Sequence, residues 1–472
     1  MRLVPGGRLH RTLGFFGTLS LSVGVMAPTL AMSLTGVGPA GLIGRAAPLA
    51  FAMAAVVVAL VAYGFVRLSA RFAHAGSVYG FVGNALGPRA GFVAGWAMLG
   101  TYLVFPAVSI AAFAIFGVAF LKTAGIASSP AWLPIALVGW AIIWLLASRD
   151  VRVTTRALLA FELAAVVVIL ALVVVIFAKL AFGGAPRDQG YTLDFVKLPP
   201  GTSFSTVALA ATAGFLSFAG FESAGSFGEE ANRPTRMIPR SMVAAIAFGA
   251  VFYVVCMVAQ TLGFGTDAAG VKQFAGSGAP LGDLAKGYVG SGLACVLDLG
   301  AMISALGAGV GCASVGARML FALSRDGVFD RRLSGVSAST GAPAVALAVV
   351  LGLDVAGLIA FGVADTEPIK VFFYFATIGV LSLLVMYMVT NLAALKFLWL
   401  EERRWYDVVL PLGGIAAAGY TIYRNVYPAP ASPFDVFPWI VLGWLALGAA
   451  ASVLVPGFAS RLREQLALRT GR

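Results

Sequence analysis

Apolar positions in this chain neither alternate nor recur on one face of a helix. They run unbroken for about twenty residues at a time, as in AFAMAAVVVALVAYGFV (50–66) and LAAVVVILALVVVIFA (163–178). About 20 apolar residues is the length an α-helix needs to cross a hydrocarbon core roughly 30 Å thick. A β-barrel is excluded, because its strands alternate apolar and polar residues over about ten positions. The pattern predicts twelve membrane-spanning helices at about 13–35, 42–66, 91–121, 131–148, 157–179, 204–227, 240–264, 290–317, 343–363, 370–395, 407–424 and 434–456. The first is longer than the apolar stretch of a signal peptide and lacks a small-residue cleavage site, so it reads as a span.

Composition agrees. The 472 residues are 60% hydrophobic and 11% charged, against about 25% charged in soluble domains. Lipid is the expected covering for the missing polar surface. The net charge of +12 does not point to nucleic acid, because the basic residues are scattered through short loops and form no patch. Their distribution orients the chain instead. The N-terminus, the even-to-odd connections and the tail hold 23 Lys and Arg residues, and the opposite side holds 9. The excess places both termini in the cytoplasm of a multi-pass inner-membrane protein. No soluble domain interrupts the pattern. The longest connection, 182–203, is rich in Gly and Pro and reads as an external loop between two halves.

Much chemistry is excluded. There is no GxxxxGK[ST], so no phosphate-binding loop drives a pump, and neither GxSxG nor HExxH occurs. Cys256, Cys295 and Cys312 lie in apolar segments without a CxxC and read as small buried hydrophobes. His10 and His74 are the two histidines, too few for a haem or multi-histidine metal site. No cofactor, no metal and no enzymatic activity are expected. Secondary transport, a channel and an unfamiliar intramembrane enzyme remain.

Two spans bear on that choice. The first contains LSLSVGVMAPTLAMS (19–33), with Gly24 and Pro28, and the sixth contains AGFLSFAGFESAGSFGEE (213–230). Gly and Pro there loosen a helix, and backbone groups freed inside hydrocarbon must find partners. A pair of interrupted helices in matching positions of two halves points to a transporter binding site. Spans one and six are five apart, so the repeat is expected over spans 1–5 and 6–10.

The stretch SFAGFESAGSFGEEANRPTRMIPRSM (217–242) resembles the sixth-helix pattern of the amino acid–polyamine–organocation family of permeases. RFAHAGSVYGFVGNALGPRAGFVAGW (71–96), the loop entering the third helix, and ARMLFALSRDGVFDRRLSGVSASTGAPAVAL (317–347), joining helices eight and nine, are similar to that family in the same order. The resemblance implies an all-α integral membrane protein with twelve transmembrane helices. It implies a single permease domain over 1–472 with a LeuT-like 5+5 inverted repeat, about 13–179 against 204–395, and two C-terminal helices at about 407–456. It implies a secondary transporter of amino acids or related amines, coupled to protons or exchanging solutes.

The same resemblance places the solute at the unwound middles of helices one and six. The expected contacts are Ser22, Gly24, Met26, Ala27 and Thr29 on the first, and Phe215, Ser217, Phe218, Ala219, Gly220 and Glu222 on the second. Free N–H groups at one break suit a carboxylate and free carbonyls at the other suit an ammonium. The chain departs from the family's G-S/T-G step: Ala27-Pro28-Thr29-Leu30 stands there, and proline donates no hydrogen bond. That departure favours a decarboxylated solute, such as a polyamine. Leu216 falls where relatives place a gating aromatic, with Phe215 or Phe218 as substitutes.

Glu162, Glu222, Asp298 and Asp354 lie inside apolar spans, where an acid is a functional hypothesis by default. Glu222 at the sixth-helix break and Glu162 in helix five are the coupling candidates, whether for solute amine or for protons. Hydrogen bonding that ties the broken helix together is the alternative for Glu222, and a position facing the cytosolic end is the alternative for Glu162. Gly83, Gly87, Gly91 and Gly95, four apart, predict close helix packing. Glu229, Glu230, Arg233, Arg236 and Arg240 are expected to form a salt-bridged inner latch. Trp96, Trp132, Trp405 and Trp439 are expected as interfacial anchors. A polyamine carrier, a channel and a non-transporting nutrient sensor are the competing readings, the last disfavoured by the short tail at 457–472.

Overall fold

The computed structural model describes residues 3–5, 13–72, 77–149, 151–228, 230–337, 341–401 and 404–454, with backbone alone at 3–5, 151–156, 401 and 454. His10, His74, Glu229, Arg403 and the basic N-terminal and C-terminal tails lie outside the described residues.

The described chain is built from helices: α1 (Phe15–Met26), α2 (Pro28–Leu34), α3 (Val37–Ile43), α4 (Ala47–Ser69), α5 (Val78–Leu86), α6 (Pro88–Tyr102), α7 (Phe105–Thr123), α8 (Trp132–Ala147) and α9 (Val151–Phe182). There follow α10 (Phe204–Phe218), α11 (Pro234–Phe264), α12 (Ala268–Ala275), α13 (Pro280–Tyr288), α14 (Ser291–Arg325), α15 (Ala344–Val363), α16 (Pro368–Glu401), α17 (Tyr406–Val426) and α18 (Phe437–Leu454). One short antiparallel pair joins β1 (Leu3–Pro5) to β2 (Gly335–Ser337), a detail the helical reading missed.

Among the described residues nine helical stretches are long and apolar enough to cross a membrane. Trp132–Ala147 and Phe437–Val453 are apolar but shorter, and α17 is long but carries a more polar sequence. Large apolar side chains stand exposed along the outside of α9, α11 and α15, including Val167, Val174, Val251, Leu353 and Val363. Such an exterior needs lipid. The chain is therefore an all-α, multi-pass membrane protein.

Three expectations change. The third span stands as one apolar crossing, Pro88–Thr123, but not as one unbroken helix: Leu103 and Val104 separate α6 from α7, and Pro106 lies in the first turn of the second piece, where a missing N–H costs nothing. Nor does the four-residue glycine run lie on one rod. Gly87, at φ +103°, turns the chain between α5 and α6, and a methyl on Gly91 would fall 2.6 Å from the Gly83 Cα. The packing role stands, but between two helices in a segment read as a loop. Trp96 is not interfacial. It is 7% exposed and stacks on Trp444 at 4.2 Å between ring centres. The two indoles exchange hydrogen bonds with each other's carbonyls at 2.8 and 3.0 Å, which fastens α18 to α6. Trp405 and Trp439 are exposed.

α14 packs most extensively against α7, α11 against α4, and α16 against α17. The interrupted pair α1–α2 lies among α9, α11 and α14.

Candidate functional site

α1 is regular up to Ala27, whose amide still reaches the Val23 carbonyl at 2.9 Å. Ala27 then takes a left-handed conformation, φ 44° and ψ 66°, and Pro28 opens α2. A non-glycine residue there is strained by about 1–2 kcal/mol, and such strain clusters at functional sites. Proline has no N–H to close onto Gly24. The next two amides turn elsewhere: Thr29 N donates to Glu162 Oε1 at 2.7 Å and Leu30 N to Ser304 Oγ at 3.1 Å. Gly24, Val25 and Met26 thus present carbonyls without their helical amide partners.

The second break follows α10. Ala219 is extended in ψ, Gly220 sits at φ 113°, and a 3-10 turn covers Phe221–Phe227. Glycine is required at 220 for conformation and for space. A Cβ there would lie 2.5 Å from Val25 Cγ1 and 2.8 Å from Met26 N. The two breaks therefore touch. Hydroxyls stitch them together: Ser22 Oγ donates to the Phe221 carbonyl at 2.9 Å, Ser223 Oγ to the Leu21 carbonyl at 3.2 Å, and Thr35 and Ser217 share a bond of 2.9 Å.

A cavity of about 40 Å³ opens beside this junction. Val25, Met26, Ala27, Leu30 and Thr35 border it from α1–α2, with Leu216, Ser217 and Ala219 from the second break. Phe105, Val108 and Ser109 of α7, Ala308 and Cys312 of α14 and Phe372 of α16 complete it. Of the expected contacts, Met26, Ala27, Ser217 and Ala219 line this space. Gly24 borders a second small cavity with Ser20, Arg149 and Ser314. Ser22 and Gly220 join the breaks, and Thr29 contributes its amide to Glu162. Phe215 and Phe218 are buried away from the cavity, Phe218 edge-on to Tyr253 at 5.0 Å. The aromatics at the cavity are Phe105 and Phe372. Both, with Ser109 and Cys312, escaped the sequence reading, because α7, α14 and α16 look evenly apolar and no period marks their inner face.

The intramembrane acids show a common use. Glu222, fully buried, accepts from Tyr102 Oη at 2.7 Å, Tyr387 Oη at 3.1 Å and the Gly220 amide at 3.2 Å. Glu162, also buried, holds the Thr29 amide at the start of α2. Asp354 accepts from the Ala107 amide at 3.1 Å, at the start of α7. Each acid meets a backbone N–H that a helix interruption leaves open, which hydrocarbon cannot do. Asp298 differs. It borders a separate cavity of about 460 Å³ together with Lys122, Asp283 and Lys286. Among the described residues no cluster of three metal-ligating side chains occurs.

Beyond the second break, Glu230 is paired, but not with the arginines of its own segment. Its partner is Arg318 of α14, with Nε–Oε1 at 2.7 Å and Nη2–Oε2 at 3.3 Å. The guanidinium also lies 4.2 Å over the Phe227 ring. Leu13 threads beside them, donating to the Glu230 carbonyl at 3.0 Å and accepting from the Asn232 amide at 2.9 Å. The span expected at 290–317 leaves Arg318 in the connection; α14 instead continues to Arg325 and carries it inside, 2% exposed.

The model of the amino acid permease family matches residues 17–410. The low-affinity putrescine importer of Escherichia coli is 23% identical over 399 residues, 84% of this chain and 83% of the importer. An uncharacterized transporter of Mycobacterium tuberculosis is 28% identical over 410 residues, 86% and 84% of the two chains. The branched-chain amino acid permease of Bacillus subtilis is 26% identical over 364 residues, 72% of each.

Proposed function

The chain belongs to the amino acid permease family, and we propose that it carries amino acids or related amines across the inner membrane as a secondary transporter, binding them between the two helix breaks. The single observation that carries this reading is the contact of Gly220 with Val25 and Met26, where two interrupted helices meet beside a cavity. A solute there faces carbonyls that no helix satisfies. Hydrogen bonds to it cost the protein no unfolding of regular structure.

Twelve crossings, a 5+5 inverted repeat over about 13–179 and 204–395 and two further helices at about 407–456 belong to the proposal. The equivalent breaks in spans one and six support the repeat, and the excess of Lys and Arg on one side, 22 to 9 once Arg318 is placed inside α14, supports cytoplasmic termini. Glu162 and Glu222 are the groups proposed to link transport to protons, since each carboxylate sits at a break and both are buried. Exchange of one solute for another is the alternative cycle. A polyamine or other amine cargo is the second reading of substrate, favoured by Pro28 at the first break.

The test is uptake by the purified protein in liposomes of labelled putrescine, leucine and isoleucine, with and without a pH gradient. Saturable uptake of one of them, reduced in Glu222→Gln, is the expected result. Absence of uptake in both conditions with folded protein contradicts transport of these classes. Uptake indifferent to pH removes proton symport.

A further inference from the structure

The peptide N–H groups at the first break are all committed. Ala27 N and Ala31 N stay in the helical ladder, bonded to the Val23 and Ala27 carbonyls at 2.9 and 2.8 Å. Pro28 has no N–H, Thr29 N is held by Glu162 and Leu30 N by Ser304. At the second break Ala219 N returns to the Phe215 carbonyl at 2.9 Å, and Gly220 N goes to Glu222. The cavity hydroxyls have acceptors within their own helices: Thr35 the Ala31 carbonyl at 2.7 Å, Ser109 the Phe105 carbonyl at 3.2 Å and Ser217 the Ala213 carbonyl at 3.1 Å. Among the described residues no Lys, Arg or His borders the cavity.

A carboxylate entering this space finds no charge to pair with and few donors, in a setting where an unpaired buried anion is costly. An ammonium group finds the opposite. The carbonyls of Gly24, Val25 and Met26 lack their amides, and Val25 and Met26 line the cavity.

Resting on the solute site proposed above, we infer that Glu162 determines substrate class: by occupying the Thr29 amide it makes the site select amines that carry no carboxylate. Glu162 acts through the backbone of α2. The side chain itself does not border the cavity, so the role is one of positioning and of exclusion.

Matched pairs that differ by one carboxylate test this: putrescine against ornithine, and isopentylamine against leucine. Binding is measured by calorimetry on the full-length protein in lipid nanodiscs. For the wild type each amine is expected to bind at least about tenfold tighter than its amino acid, the scale of one hydrogen bond to a charged group. Glu162→Ala frees the amide, and the ratio is expected to fall about tenfold or more. Glu162→Gln keeps an acceptor oxygen for Thr29 N and is expected to hold the ratio within about threefold of wild type. A residue needed solely for folding weakens both members of a pair together and leaves the ratio unchanged.

An unchanged ratio in Glu162→Ala, or wild-type binding of the amino acids as tight as the amines, overturns the inference. Either result leaves the solute site standing, because binding of any member upholds it. Binding of none of the four overturns the site and the inference together.

Discussion

Gly220 and Gly24 sit on opposite sides of the same junction and give a matched pair of perturbations. A Cβ on Gly220 would fall 2.5 Å from Val25 Cγ1 and 2.8 Å from the Met26 amide nitrogen, whereas one on Gly24 would meet no atom within 4 Å. Met26 N is backbone, so the conflict at 220 cannot be relieved by a rotamer change. Gly220→Ala also forces a Cβ onto a residue at φ 113°. That conformation costs about 1–2 kcal/mol, and overpacking adds about 1–3 kcal/mol. The total of about 2–5 kcal/mol, at tenfold per 1.4 kcal/mol, is a factor between about thirty and several thousand in the population of the closed junction. Gly24→Ala lies in regular α1, where alanine is favoured by up to about 1 kcal/mol. The assay is the midpoint of SDS-induced unfolding in mixed micelles, followed by tryptophan fluorescence. Gly220→Ala is expected to lower the midpoint strongly and Gly24→Ala to leave it unchanged or raise it. Equal midpoints for the two variants would refute the claim that the breaks abut through Gly220.

Other perturbations follow from the same geometry. Removing one partner of the buried Glu230–Arg318 pair should cost about 3–5 kcal/mol; Glu230→Leu combined with Arg318→Met should recover most of it in the same unfolding assay. Tyr102→Phe and Tyr387→Phe each take one donor from the Glu222 carboxylate, and each should destabilise by about 1–3 kcal/mol, with less than additive loss in the double variant if the hydroxyls share one network. Trp444→Ala removes the stack on Trp96 and the bond from the Trp444 indole to the Trp96 carbonyl, while the backbone carbonyl of residue 444 can still accept from Trp96 Nε1. Loss of about 3–5 kcal/mol is expected, read as faster proteolytic release of the segment that contains α18.

The broad architecture was legible because hydrocarbon imposes a length on every crossing, and the apolar runs carry that length directly. Helix boundaries at 131–148, 157–179, 343–363 and 407–424 fell within a few residues of α8, the C-terminal part of α9, α15 and α17. The breaks were legible for a local reason: Pro28 and Gly220 each announce backbone that cannot continue a helix. What surrounds the breaks was not. Cys312, Phe105 and Phe372 approach the cavity from three helices whose apolar residues point both inward and toward lipid, so no periodicity separates the faces. Glu162 stands out in the sequence as a coupling candidate and Asp354 does not, yet each holds a backbone amide that only tertiary packing brings near. Arg318 lies one residue beyond the span expected at 290–317 and counts there as part of the connection, but its charge is answered inside by Glu230. The split between α6 and α7 at Leu103–Val104 has one local mark, Pro106 just after it, which the continuous apolar run around it hid; the start of α7 is held from α15, where Asp354 accepts from the Ala107 amide.

The central claim is that solute occupies the space between the two breaks, and Cys312 borders that space. The direct measurement is the rate at which a small thiol reagent modifies Cys312 in a Cys256→Ser, Cys295→Ser background, with and without saturating putrescine or leucine. Solute in the cavity predicts at least about tenfold slower labelling by the compound that binds. An unchanged labelling rate under conditions where that compound is bound would contradict the account.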